Sequence, residues 1–451
     1  MKSILKSGFV LLFCQAVVLQ AATTVTNIAA GSNHSLFLES DGSLWAMGDN
    51  GWGQLGDGTL NDTNRPEQIV SSNVVAIAAG GAHTLFLKSD GSLWAMGGNF
   101  DGQLGDGTFN YVNQPEQIVS NNVVAIAAGE EHSLFLKSNG SLWVMGRNNH
   151  GQLGDGTFND TNRPKQIVTG GVVAIAGGLF DTLFLKSDGS LWAMGENIIG
   201  GLGDGTFNDT NRPEKIVSSG VVAIAAGWYH SLFLKSDGSL WAMGGNFDGQ
   251  LGDGTFNDTN RPEQIVSGGV VAIAAGMQHS LFLKSGGSLW AMGYNAVGGL
   301  GDGTFNDTNQ PEQIVSSNVA AIAPGGAHTL FLKSDSSLWA MGFELYGQLG
   351  DGFAPSSEFS GEPFPEQIVP SPQPVLMDNI SSQTNLQFNA TCLFGGNFYL
   401  LAGTNLTQPL SAWAPVWTNS VTARGSNNFT ATLTNALNPS AGGQFYILEA
   451  Q

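Results

Sequence analysis

The sequence predicts an all-β protein, with a seven-bladed β-propeller of four-stranded blades over residues 23–369 and a small C-terminal β-sandwich over 375–451. Three observations carry that expectation. A Leu-Trp-Ala/Val-Met-Gly segment recurs with its tryptophan at Trp45, Trp94, Trp143, Trp192, Trp241, Trp290 and Trp339, a constant step of 49 residues. Each unit contains four short apolar runs separated by turn chemistry, and such a unit repeated seven times fits propeller blades. The 63 glycines and a charged fraction of only 12% favour a turn-rich fold and exclude an acidic disordered chain.

Residues 1–22 read as a signal peptide. Lys2 and Lys6 begin it, Gly8 to Leu19 is apolar except for Gln15, and Ala21-Ala22 offers a small-residue cleavage site. The apolar run is shorter than the roughly 20 residues that cross a bilayer. The expected location is therefore secreted, periplasmic or at the cell surface, with no membrane insertion after cleavage. Removing the leader removes Cys14 and leaves Cys392 without an intrachain disulfide partner.

The fifth copy shows why each run is a strand. Val221–Ala226 is rich in β-branched residues, His230–Lys235 follows, and Asp237-Gly238 supplies the tight hairpin turn into Ser239–Met243. Pro262–Val266 forms the outer strand, with its proline at the start, where a missing N–H is tolerated. The runs barely alternate, as expected of sheets covered on both faces by neighbouring blades. Alanine in the first run suits the crowded axis. Ring closure has two open solutions: packing between complete blades, or donation of the last strand to the first blade.

Three motifs carry a family resemblance: Gly-x-x-His-Ser-Leu at 227–232, Trp-Ala-Met-Gly-x-Asn at 241–246, and Gly-Gln-Leu-Gly-Asp-Gly at 249–254. They resemble the repeat of the regulator of chromosome condensation (RCC1-like) propellers, in a secreted, bacterial-type setting. The resemblance implies a seven-bladed ring. It also implies, as one alternative, the founding activity of guanine-nucleotide exchange on a small GTPase. This chain has a net charge of −20 and no basic tail, so nucleic acid and anionic membrane surfaces are excluded as expected partners.

Two slots vary between copies: the pair before the recurrent histidine, and the stretch after Met-Gly. Antiparallel strand order brings both slots to one face. The candidate partner-binding residues are Trp52, Phe100, Glu130, Glu131, His150, Leu179, Phe180, Trp228, Tyr229, Met277, Tyr294 and Tyr346, centred on blades three to six. Their aromatic bias matches the residue types of interface hot spots. The competing reading is that they plug the central channel. The expected function is a monomeric, secreted binding scaffold for a protein or glycan. The alternative is an extracellular glycoside hydrolase or lyase using carboxylates such as Glu130, Glu131 and Asp181.

No catalytic residue, cofactor or metal is expected. His34, His83, His132, His230, His279 and His328 share one slot, filled by Asp181 in the fourth copy. Histidines a whole blade apart cannot converge on one metal at about 2 Å. The Asp-Gly-Thr-Phe-Asn-Asp-Thr-Asn stretch at 204–211 looks calcium-like but lacks EF-hand spacing, and Asx-turns account for its composition.

Pro370 to Pro374 reads as a stiff linker. Beyond it, strands are expected at Leu386–Phe394, Phe398–Thr404, Trp413–Val421, Phe429–Leu433 and Gln444–Leu448. This segment resembles terminal β-sandwich modules of secreted bacterial proteins, which implies a spacer or surface-attachment role.

Overall fold

The computed structural model describes residues 23–353 and 361–370, and the backbone of 385–392, 396–403, 414–421, 427–434 and 445–450. The expected leader and most of the proline-rich linker lie outside the described residues.

Strands are numbered in chain order. β1 (Val25–Ala30), β2 (His34–Glu39), β3 (Leu44–Gly48) and β4 (Thr63–Val70) form one antiparallel sheet in sequence order. The pattern recurs in every copy, ending with β25 (Val319–Pro324), β26 (His328–Lys333), β27 (Leu338–Phe343) and β28 (Gly361–Val369). The first strands of successive blades neighbour one another around the axis, and β25 meets β1. The first and last sheets each keep all four of their own strands, so the ring closes by packing, without strand exchange.

The core lies between blades rather than within them. Leu36, Leu38, Leu44 and Ala46 of blade one pack with Val74, Ile77, Phe86 and Met96 of blade two. Closure repeats this joint, with Leu330, Leu332, Leu338 and Ala340 of blade seven against Val25, Ile28, Phe37 and Met47 of blade one. Along β2, Leu36 and Leu38 face the next blade and Phe37 faces the previous one, so both sides of the strand are buried. That two-sided burial explains the missing polar alternation. Each fully buried Leu or Phe stabilises the ring by about 1.5–3 kcal/mol.

The chain divides into two compact units, the propeller Thr23–Pro372 and a second that holds the C-terminal strands. In the second, β29 (Asn385–Cys392) pairs with β32 (Asn427–Thr434). The other sheet has the order β31 (Ala414–Val421), β30 (Gly396–Gly403), β33 (Phe445–Ala450). All five expected strands are present, each within a few residues of its expected bounds.

Candidate functional site

Backbone pairing fixes where the variable slots go. His34 pairs with Gly48, and the amide of Asp49 donates to the Asn33 carbonyl at 2.9 Å, so the Gly-x-x-His loop and the loop after Met-Gly share one end of the blade. The Asp-Gly hairpins lie at the other end.

The recurrent histidine is a rivet between blades. His34 Nε2 lies 3.0 Å from Thr84 Oγ1 of the next blade, and Thr84 spends its only proton on the Gln54 carbonyl at 2.8 Å. The histidine must therefore donate from Nε2, which leaves Nδ1 bare and buried without a partner. The same contact recurs from His83 to Ser133, His132 to Thr182, His230 to Ser280, His279 to Thr329 and, across the closure, His328 to Ser35. Burial holds all six imidazoles down to a pKa of about 3 or 4. The glycine three residues earlier makes room for the ring. A Cβ on Gly31 would stand 2.4 Å from both the His34 ring and the Gly80 carbonyl oxygen.

Inside this collar, several candidate residues turn inward. Glu130 receives hydrogen bonds from Ser32 Oγ at 2.8 Å and from Trp228 Nε1 at 3.2 Å, tying blades one, three and five across the axis. Met277 reaches Gly326, and with Ser32, Glu130 and Trp228 it lines a cavity of about 130 Å³ at the channel mouth. Burial raises the Glu130 pKa, opposed by its bonds to Ser32 and Trp228. Leu179, expected at the surface, is only 6% exposed. For this subset the plug is the better description. Glu130 and Asp181, both among the carboxylates considered for hydrolase or lyase chemistry, line different cavities.

Glu131, Phe180 and Tyr229, each immediately before the histidine slot of its copy, are half-buried and pack against neighbours at this end of the blades. Arg147 pairs with Glu131 and sits 4.6 Å over the Phe180 ring. His150 stacks on Phe180, centroids 4.9 Å apart, and its Nδ1 lies 2.9 Å from Asp209 and 4.0 Å from Glu196. Burial and then Glu131 lift the pKa of nearby Asp101 to about 6. Tyr229 meets Trp228 edge-on at 6.2 Å.

Two further aromatic groups occupy the same end. Trp52 is 44% exposed and packs edge-on against Phe100 at 4.6 Å and Tyr111 at 6.2 Å. Tyr346 packs on Phe343 at 6.2 Å. Tyr294 is half-buried, and burial, Asp307 and Asp248 raise its phenol pKa. The Asp-Gly-Thr loops are held by Asx-turns: Asp57 accepts from the Thr59 amide at 2.8 Å and hydroxyl at 2.7 Å, and from Asn50 Nδ2 at 3.0 Å.

One junction departs from the collar. At blade four, Asp181 replaces the histidine, and Gly201, like Gly299 of blade six, stands where the other copies have glutamine. A pocket opens there, lined by Asp181, Glu196, Ile198, Ile199, Trp228 and Tyr229 among others. Burial and then Glu196 raise the Asp181 pKa well above the usual carboxylate range; burial also raises that of Glu196. Arg147, Glu196, Tyr111 and Gly201 were not among the sequence candidates. Arg147 and Glu196 stand directly after Met-Gly, and comparison of that position between copies marks them.

Comparisons agree with this architecture. A profile of the RCC1-like domain matches residues 12–267, and RCC1 repeat profiles match 286–332 and 270–298. Human WBSCR16 is 25% identical, with 70% of this chain and 89% of that one covered and a TM-score of 0.63. Prp20p of Saccharomyces cerevisiae is 23% identical, with 77% and 88% covered and a TM-score of 0.65. The same yeast protein bound to Kap60 gives 21% identity, coverage of 78% and 85%, and a TM-score of 0.65. No curated protein matches the chain. With its profile spanning more than half the sequence, its motifs in register and its blades complete, the chain belongs to the RCC1-like repeat family of β-propellers.

Proposed function

We propose that this propeller is an exported binding scaffold, which recognises its partner through the partly exposed residues of its variable face. The observation that carries the reading is the contiguous cluster of Glu131, Arg147, His150 and Phe180, ordered by an ion pair, a ring stack and a cation–π contact. Exposed Trp52 and Phe100 supply a second anchor of the type that dominates interface energetics. The channel-mouth cavity of about 130 Å³ is smaller than the roughly 300–1,000 Å³ of small-molecule sites, which favours docking on a surface over engulfing a substrate. Prp20p has binding properties toward Gsp1p and histones, but at 23% identity it supports the fold alone.

The test is a protein and glycan array probed with the purified chain. Phe180→Ala with Tyr229→Ala, and separately Trp52→Ala with Phe100→Ala, are expected to weaken any specific signal by about tenfold or more. Val222→Ser, at an exposed position on the opposite end, is expected to leave it unchanged. Equal binding by all four proteins would exclude this face.

A further inference from the structure

Six blade junctions are closed by an imidazole, and the one between blades four and five is not. Asp181 fills only the inner half of the missing ring. A Cβ on Gly178 would stand 2.1 Å from Asp181 Oδ1, much as one on Gly129 would stand 2.5 Å from His132 Nδ1. No atom follows where Nε2 would continue toward Ser231, whose hydroxyl still donates to the Gly201 carbonyl at 2.8 Å. Gly201, which also lines the pocket, carries no side chain where five of the other copies have glutamine. The two shortenings leave a cavity of about 10 Å³, room for one water-sized group.

The lining is selective. Asp181 is only 6% exposed, and among the described residues its carboxyl receives a hydrogen bond from its own backbone amide and from no other residue. Glu196 adds a second carboxyl. Ile198, 58% exposed, joins Ile199, Trp228 and Tyr229 in giving the pocket apolar and aromatic walls. Building on the proposal that this face binds a partner, we infer that the pocket receives the ammonium group of a lysine side chain from a partner protein. An ammonium is the size of a water molecule, and it donates into a site rich in acceptors. Its alkyl stem lies along the isoleucines and aromatic rings. A guanidinium or a sugar ring is too large for the cavity, and anions are repelled. The raised carboxyl pKa values fit the same chemistry, because an arriving cation restores the ionised form that burial disfavours.

The probe is Nα-acetyl-lysine methylamide, titrated against the full chain and followed by tryptophan indole NMR. Acetyl-norleucine methylamide, acetyl-arginine methylamide and glucosamine serve as comparison probes. Saturable perturbation of the Trp228 indole by the lysine probe alone is expected. Asp181→His installs the residue of the six other blades, so it is expected to keep or raise the melting temperature while weakening lysine binding roughly 30-fold or more. Glu196→Gln is expected to weaken it without filling the cavity. Lysine binding equal in wild type and Asp181→His would overturn the assignment. So would norleucine, arginine or glucosamine binding as well as lysine. Loss of the pocket assignment with array binding still dependent on Phe180 and Trp52 would sink this inference and leave the scaffold reading standing.

Discussion

Single side chains explain where the copies are uneven in strength. In blades two to seven a lysine covers the outer tryptophan, from Lys88 over Trp94 at 4.1 Å to Lys333 over Trp339 at 3.8 Å. Blade one has Glu39 in that position. Glu39→Lys is expected to stabilise the protein by about 0.5–1 kcal/mol, measured by chemical denaturation. A second exception is Glu344. In the other blades an asparagine there donates to the loop aspartate, as Asn197 does to Asp204 at 2.9 Å. Glu344 is 1% exposed and has no proton to give when ionised; burial first, then Asp351, raise its pKa to about 9. The folded value lies above the ordinary 4.5, so this contribution is complete at low pH and drains away as pH rises from 4.5 toward 9. Glu344→Asn is expected to remove that loss and to stabilise the protein at pH 8 by roughly 1–3 kcal/mol, which denaturation across a pH series would read. Unchanged stability at pH 8 would contradict the carboxyl pairing.

At the scale of elements, the histidine contacts make the joint between blades acid-sensitive. Each ring is neutral in the fold with a pKa near 3 or 4, against 6.5 in the unfolded chain. The folded value is depressed, so the stabilisation is present above pH 6.5 and is lost as pH falls toward 4. Each buried imidazole adds about 1.4 kcal/mol per pH unit to the slope in that window. Six of them are expected to give a steep, cooperative acid transition by circular dichroism. His230→Gln is expected to flatten its slope by the share of one group while lowering stability at neutral pH. The blades were legible in the sequence because a repeat of 49 residues reports its own strand boundaries, and because Asp-Gly and Gly-x-x-His mark the turns. The variable face was only half legible. The two residues of the first slot are adjacent in sequence, yet Trp228 turns to the channel and bonds Glu130 while the ring of Phe180, in the following position of its own copy, stacks on His150. That division follows from alternation about the strand end, which a string of letters does not display without a known pivot. The Asp181 pocket was missed because it arises from atoms that two shorter residues lack.

At the scale of the whole molecule, the seam between blades seven and one is held by the same apolar packing and the same imidazole contact as every other joint. Among the described residues no strand clasps it. A circular permutant that opens between Val70 and Val74 and links the natural ends of the propeller is therefore expected to fold, with a melting temperature close to that of the parent. Failure of that permutant to fold would mean that the natural seam carries some special role in assembly. A wheel of interchangeable staves can in principle gain or lose one through unequal recombination within its repeated DNA. The acidic side chain that spans the axle in this protein imposes a gauge on that freedom: Glu130 must reach Ser32 on one side and Trp228 on the other. With six staves the bore would pinch those three together, and with eight it would draw them apart, so a single carboxylate measures the circumference.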